Sequence, residues 1–330
     1  MSVHMHKFKI SFSFLLVLMS SCAWADAYSQ DDLNRLKKIA LAAQQSDYSG
    51  TFIYQSGDYV ETSRITHLLD GKNVHERLER MDGERSEIIR KNERVWCYLG
   101  ERRLTLTKWD GARAFPALLL KHFSLLQENY LIRRGEEDRV AGLQASSILF
   151  QPRDKMRYAH KIWAHNDSGL LLKAAVLDEQ GHVIEQYAFT QLKIGGDIDR
   201  NWMVPNNLVD HGPAENETYA PHVSLTETDS GWKVYALPAG FAKIAEVSRN
   251  LRGSKLPVVH LVFSDGLAGI SVFIENLGDR HGVKQGLHSK GVIQIFTRVL
   301  DENLLTVVGE VPPHTIMQVA ESVRYGGMKK

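Results

Sequence analysis

The sequence predicts a mainly β protein of the α+β kind, built as two domains, and three observations lead there. Strand-like segments follow one another from Tyr48 onward, with Gly and Asp at the breaks between them. A helical segment with a bulky apolar face interrupts that run at Phe115. A stretch of low periodicity, Asn206 to Asp229, then separates it from a second, shorter series of strands. A chain of 330 residues with 43% apolar side chains is too long for one small core and too apolar for disorder, so two domains agree with its size.

The first residues stand apart. Lys7 and Lys9 precede apolar Ile10 to Met19, and small residues lead to Ala23-Trp24-Ala25, the order of a cleavable signal peptide. The apolar part is shorter than the roughly 20 residues a membrane-spanning helix needs, so residues 1–25 are expected to leave and a soluble exported chain to begin near Asp26. A competing reading takes Met19-Ser20-Ser21-Cys22 as a lipoprotein site with a lipidated Cys22, which Met19 fits badly. After cleavage at Ala25, Cys97 is the remaining cysteine, and an intramolecular disulfide is excluded. Its alternation with Val95 and Leu99 reads as a buried thiol in a strand.

The elements follow in order. Ser29 and Asp32 resemble a helix-capping arrangement, and Leu33, Leu36, Ala40 and Ala43 recur at helical spacing through about Gln45. Strands are predicted over Gly50–Gln55, Thr62–Leu69, Val74–Met81, Ser86–Arg90, Arg94–Leu99 and Arg103–Lys108, broken at Ser56-Gly57-Asp58, Asp70-Gly71, Asp82-Gly83, Leu99-Gly100 and Asp110-Gly111. Gly and Asp tolerate the backbone that tight hairpins need, so this spacing describes an antiparallel meander. Phe115, Leu118, Leu119, His122, Phe123 and Leu126 predict an amphipathic helix lying in the sheet's concavity. Strands resume at Tyr130–Arg133, Leu143–Phe150, Tyr158–Ala164, Leu170–Leu177 and Val183–Leu192, and Leu170–Leu177 is apolar on both faces. Residues 206–229, with Pro213 and Pro221 among polar residues, read as a linker between a domain over 26–205 and one over 230–330. The second domain is expected to hold strands at Trp232–Tyr235, Ala242–Arg249, Val258–Phe263, Gly269–Glu275, Val292–Val299 and Leu304–Val311, then a helix over Thr315–Val323.

Charge and motif searches narrow the function. Lys plus Arg at 40 against Asp plus Glu at 39 leaves no field for neutralising many phosphates, which argues against nucleic-acid binding. The mixed-charge run from Lys72 to Arg113 reads as a solvated strand surface. The histidines lack paired ligand spacing, so neither a metal nor a cofactor is expected. No nucleophile elbow, phosphate loop or dinucleotide fingerprint is present, and Ser264-Asp265-Gly266 reads as a hairpin turn. Glu136-Glu137 and Asp301-Glu302 are expected at turns, without an apolar pocket to separate their pKa values. The chain is expected to bind rather than catalyse. A curved sheet with an apolar helix against it either fills its own core or leaves a cavity for an apolar ligand.

Several blocks resemble one family. Tyr48-Ser49-Gly50-Thr51-Phe52-Ile53-Tyr54-Gln55, Glu61-Thr62-x-Arg64-Ile65-x-His67, Glu76-Arg77-Leu78 and Glu87-Ile88-Ile89-Arg90 are similar to the first half of the RseB/MucB family of sigma-E regulators. Trp232-x-Val234-x-x-Leu237-Pro238-x-Gly240-Phe241, His260 to Ala268 with Ser271-Val272-Phe273-Ile274-Glu275, and Thr306 to Pro312 resemble its second half. The resemblance implies an N-terminal domain like the lipoprotein carriers LolA and LppX, an unclosed antiparallel β-barrel around helices, and a smaller C-terminal α+β domain. It also implies a periplasmic protein that binds the periplasmic part of a membrane-bound anti-sigma factor, shields it from proteolysis and releases it when acylated lipopolysaccharide or lipoprotein binds. The alternative is a lipid or lipoprotein carrier, and a homo-oligomer stays open. On this reading Phe115, Leu119, Phe123 and Leu126 would line the ligand cavity. Leu261, Phe263, Ser264, Asp265, Ser271 and Glu275, in the densest family-like block of the second half, would meet the partner.

Overall fold

The computed structural model describes residues 30–100, 102–106, 115–118, 123–199, 201, 229–249, 257–278 and 282–326. The signal-peptide, linker and Leu119 expectations lie outside them, as does the side chain of Phe123. Among the described residues no helix is long and apolar enough to cross a membrane.

Helix α1 (Gln30–Gln45) is the first described element and carries Asp31 and Asp32 in its first turn, where carboxylates complement the free backbone N–H groups. Leu36, Ile39, Ala40 and Ala43 then form one buried stripe, and the alanines let the helix sit close to the sheet. That sheet has eleven strands in the order β6-β5-β4-β3-β2-β1-β11-β10-β9-β8-β7. They are β1 (Tyr48–Ser56), β2 (Tyr59–Asp70), β3 (Asn73–Arg80), β4 (Ser86–Lys91), β5 (Arg94–Leu99), β6 (Arg102–Leu106), β7 (Tyr130–Val140), β8 (Leu143–Pro152), β9 (Ala159–His165), β10 (Leu171–Leu177) and β11 (Val183–Ile194). Every pairing is antiparallel, and β1 joins the two halves by pairing with both β2 and β11. Among the described residues the edges β6 and β7 do not pair, so the sheet stays unclosed. A twisted sheet of this width curls. At its centre Gly50 admits a close approach, because a Cβ there would lie 2.5 Å from the Gln191 carbonyl oxygen.

Both faces of β10 are covered: Leu171 and Ala174 belong to the concave core, Leu172 and Ala175 to a smaller cluster with Trp163 on the other face. The mixed-charge run departs from its expected solvated state at Arg77 and Glu87, which are buried and joined at 2.5 Å, since opposite charges set diagonally across β3 and β4 can be withdrawn from water together. Strand β7 runs well past Arg133 through Glu136 and Glu137, with a bulge between Arg134 and Glu137. These acids therefore sit in an edge strand and not at a turn, where charges discourage pairing with another chain.

The second sheet has six strands in the order β13-β14-β15-β18-β17-β16, from β13 (Ala242–Arg249), β14 (Val258–Ser264), β15 (Gly269–Asn276), β16 (Gly286–Lys290), β17 (Ile293–Leu300) and β18 (Asn303–Gly309). Helix α3 (Pro313–Ser322) begins at a proline, whose missing N–H would be unpaired there anyway. It buries Ile316, Val319 and Ala320 among Val272, Leu305 and Val307. Strands β12 (Trp232–Val234) and β19 (Val323–Tyr325) pair beside it.

Candidate functional site

The concavity of the large sheet is packed with rings. Phe115 lies 5.2 Å from Phe52, 5.0 Å from Phe189 and 5.6 Å from Tyr187, centroid to centroid. Helix α2 (Phe123–Asn129) buries Leu126 in the same cluster and runs directly into Tyr130 of β7. Phe115 itself is at a turn rather than on that helix. Pro116 follows it and disfavours helical backbone for the preceding residue, which overrides the apolar spacing that predicted one continuous helix.

The two sheets meet along a seam. At one end Arg157, its side chain wholly buried, lies 2.7 Å from Asp265, equally buried, and 3.0 Å from Asp154. The hydroxyl of Tyr130 donates to the same Asp265 oxygen at 2.9 Å. Arg157 also donates to the Ala239 carbonyl and stacks between Tyr130 and Phe241, 5.6 and 5.2 Å from their ring centres. Although burial opposes its charge, Asp154 and Asp265 keep Arg157 above its ordinary pKa. Burial and the facing carboxylate push the Tyr130 phenol well up, so it remains a donor. Asn129 donates to the Gly240 carbonyl at 3.4 Å, and Thr315 to that of Met156 at 3.0 Å. His160 packs 6.3 Å from Tyr130, its Nε2 buried without a hydrogen-bond partner, and burial lowers its pKa to about 4. At the other end Gly291 comes so close that a Cβ would stand 2.0 Å from Ser56 Oγ. Beside it Tyr54 donates at 2.7 Å to Glu185, whose carboxyl burial holds above its usual range. This arrangement has the means to hold two bodies together. Among the described residues no cluster of acidic, His or Cys side chains could hold a metal.

Models of known families match both halves of the chain: the MucB/RseB N-terminal domain over residues 31–207 and the MucB/RseB C-terminal domain over residues 226–324. The chain belongs to the MucB/RseB family. "Sigma factor AlgU regulatory protein MucB" of Pseudomonas aeruginosa is 31% identical, over 94% of this chain and 96% of the relative. "Sigma-E factor regulatory protein RseB" of Escherichia coli K12 is 27% identical, over 88% and 90%. A solved complex of Pseudomonas aeruginosa MucA and MucB superposes with a TM-score of 0.69 at 30% identity, covering 90% of this chain and 99% of that one.

For this MucB/RseB chain, the residues singled out in the sequence fall in three places. Phe115 and Leu126 come together in the concave core. Leu261 and Phe263 are core residues of the small sheet, packed with Ile270 and Val272. Ser264 and Asp265 are spent on the chain's own contacts: Ser264 closes its turn on the Ala268 carbonyl at 2.9 Å, and Asp265 bonds Tyr130 and Arg157. In the docked arrangement each of these four residues is buried inside the molecule. Ser271 and Glu275 point to the other face of β15, where Ser271 lies 3.1 Å from His260 Nε2. Sequence reading does not find Arg157, Asn129, Tyr130 or Leu267 as functional. Arg157 follows the polar stretch Arg153-Asp154-Lys155 and carries no periodicity that would mark it.

Proposed function

We propose that this protein is a periplasmic negative regulator of an envelope-stress sigma factor, acting by binding the periplasmic part of a membrane-bound anti-sigma factor. One observation carries the reading: the match to MucB in its solved complex with MucA spans both sheets and nearly all of that chain. A simple carrier needs one concave sheet, whereas here the second is bolted to the first by a buried ion pair. Export through residues 1–25, a large domain over 26–205, a linker at 206–229 and a small domain over 230–330 belong to this reading. So does shielding of the partner from proteolysis, with release by acylated ligands that enter beside Phe115 and Leu126. With Leu261, Phe263, Ser264 and Asp265 buried, the face of β15 that carries Ser271 and Glu275 is the part of that hairpin left for the partner. Affinity capture by the mature chain from envelope extract tests the proposal. Recovery of a membrane-spanning anti-sigma factor supports it, and recovery of receptor lipoproteins instead would show a carrier.

A further inference from the structure

The turn joining β14 to β15 does more than reverse the chain. Leu267, at its tip, packs against the core cluster of the other sheet, the one that holds Phe115, Leu126 and Tyr130. The turn is stiff because one oxygen of Asp265 organises it, accepting from the backbone N–H groups of Leu267 at 3.0 Å and Ala268 at 2.8 Å. The second oxygen of the same carboxylate accepts from Tyr130 and Arg157. A single side chain therefore shapes the tip and fastens it to the large sheet. Tyr130 directly follows α2, whose Leu126 is wholly buried in the concavity. Gly240 completes the fit, since a Cβ there would lie 1.7 Å from Asn129, the last residue of that helix.

We infer that Leu267 is a built-in plug of the large sheet's concavity, latched by Asp265, and that an acyl chain entering the concavity takes its place. The inference rests on the reading that acylated ligands regulate this protein, and it names the element they displace. A branched aliphatic side chain and an acyl chain present the same chemistry to an apolar cluster. Because Leu267 and the latch share one short turn, displacing the side chain unbolts Asp265 from Tyr130 and Arg157. Ligand binding and docking of the small sheet are then mutually exclusive at this turn. Whatever favours the docked turn must weaken the ligand by the same factor that the ligand weakens docking.

The test uses the mature full-length chain and, as the probe, palmitate. Leu267→Ala is expected to bind palmitate about tenfold more tightly than the parent, since the competitor is gone. Palmitate is expected to accelerate amide exchange over residues 265–268 of the parent. A second variant, Asp265→Asn, keeps Leu267 and an oxygen for the turn but loosens the latch to Arg157, and it is expected to bind palmitate more tightly than the parent by a factor smaller than that of Leu267→Ala. Equal affinity in parent and Leu267→Ala, unchanged exchange over 265–268, or no palmitate binding to any form overturns the plug. Capture of the anti-sigma factor, measured without palmitate, reports separately on the regulator reading.

Discussion

The concavity of the large sheet and the seam between the sheets are both buried, yet they are held by opposite means. In the concavity, rings and aliphatic side chains share the work, and the loss of one leaves many neighbours in place. In the seam, one buried guanidinium is held between the carboxylates of Asp154 and Asp265. Apolar burial is graded, whereas a buried charge is tolerable only while its partner is present.

The largest expected effect lies in the concavity. Phe115→Ala should cost about 3–5 kcal/mol of unfolding free energy by denaturant titration, because the cavity would open among Phe52, Tyr187 and Phe189. A loss below about 1 kcal/mol would mean the ring fills nothing and that the concavity is already open.

Asp265→Ala should cost about 3 kcal/mol, since it leaves the buried Arg157 with Asp154 alone and takes the acceptor from the Tyr130 hydroxyl and from the N–H groups of Leu267 and Ala268. Asp265→Asn, which keeps an oxygen for the N–H groups of Leu267 and Ala268, should cost less than Asp265→Ala. If Asp265→Ala proves as stable as the parent, water reaches the seam and the contrast with the concavity disappears.

Acid separates the regions by a smaller margin. The pKa of His160 is lowered to about 4 in the folded chain, so its contribution is present above the unfolded value near 6.5 and is lost as the pH falls toward 4. Between pH 7.5 and 5 the parent should lose about 2 kcal/mol relative to His160→Gln. Glu185 acts the other way, because its raised pKa lets acid relieve a buried charge. A stability difference between parent and His160→Gln that does not move with pH would show a histidine reached by solvent.

The fold was largely legible because its turns are written locally: Gly and Asp punctuate the meander at Asp70-Gly71 and Asp82-Gly83, and both breaks fall between observed strands. Elements were missed where local signals are faint or conflict. Strand β16 is exposed along nearly its whole length and has little apolar patterning. The helix expected from Phe115 was prevented by Pro116. The seam was illegible for another reason. Tyr130 and Asp265 are 135 residues apart, and a contact at that range leaves no periodicity in either segment, so Asp265 read only as a turn residue. Leu267 stood inside a family-like block, but nothing local shows that it packs on the other sheet.

The most direct test of the regulator account is a calorimetric titration of the mature chain with the periplasmic segment of the anti-sigma factor from the same cell. Saturable binding is predicted, together with protection of that segment from proteolysis in proportion to the fraction bound. A segment that produces no binding heat and is cleaved equally fast with and without the protein would contradict the account.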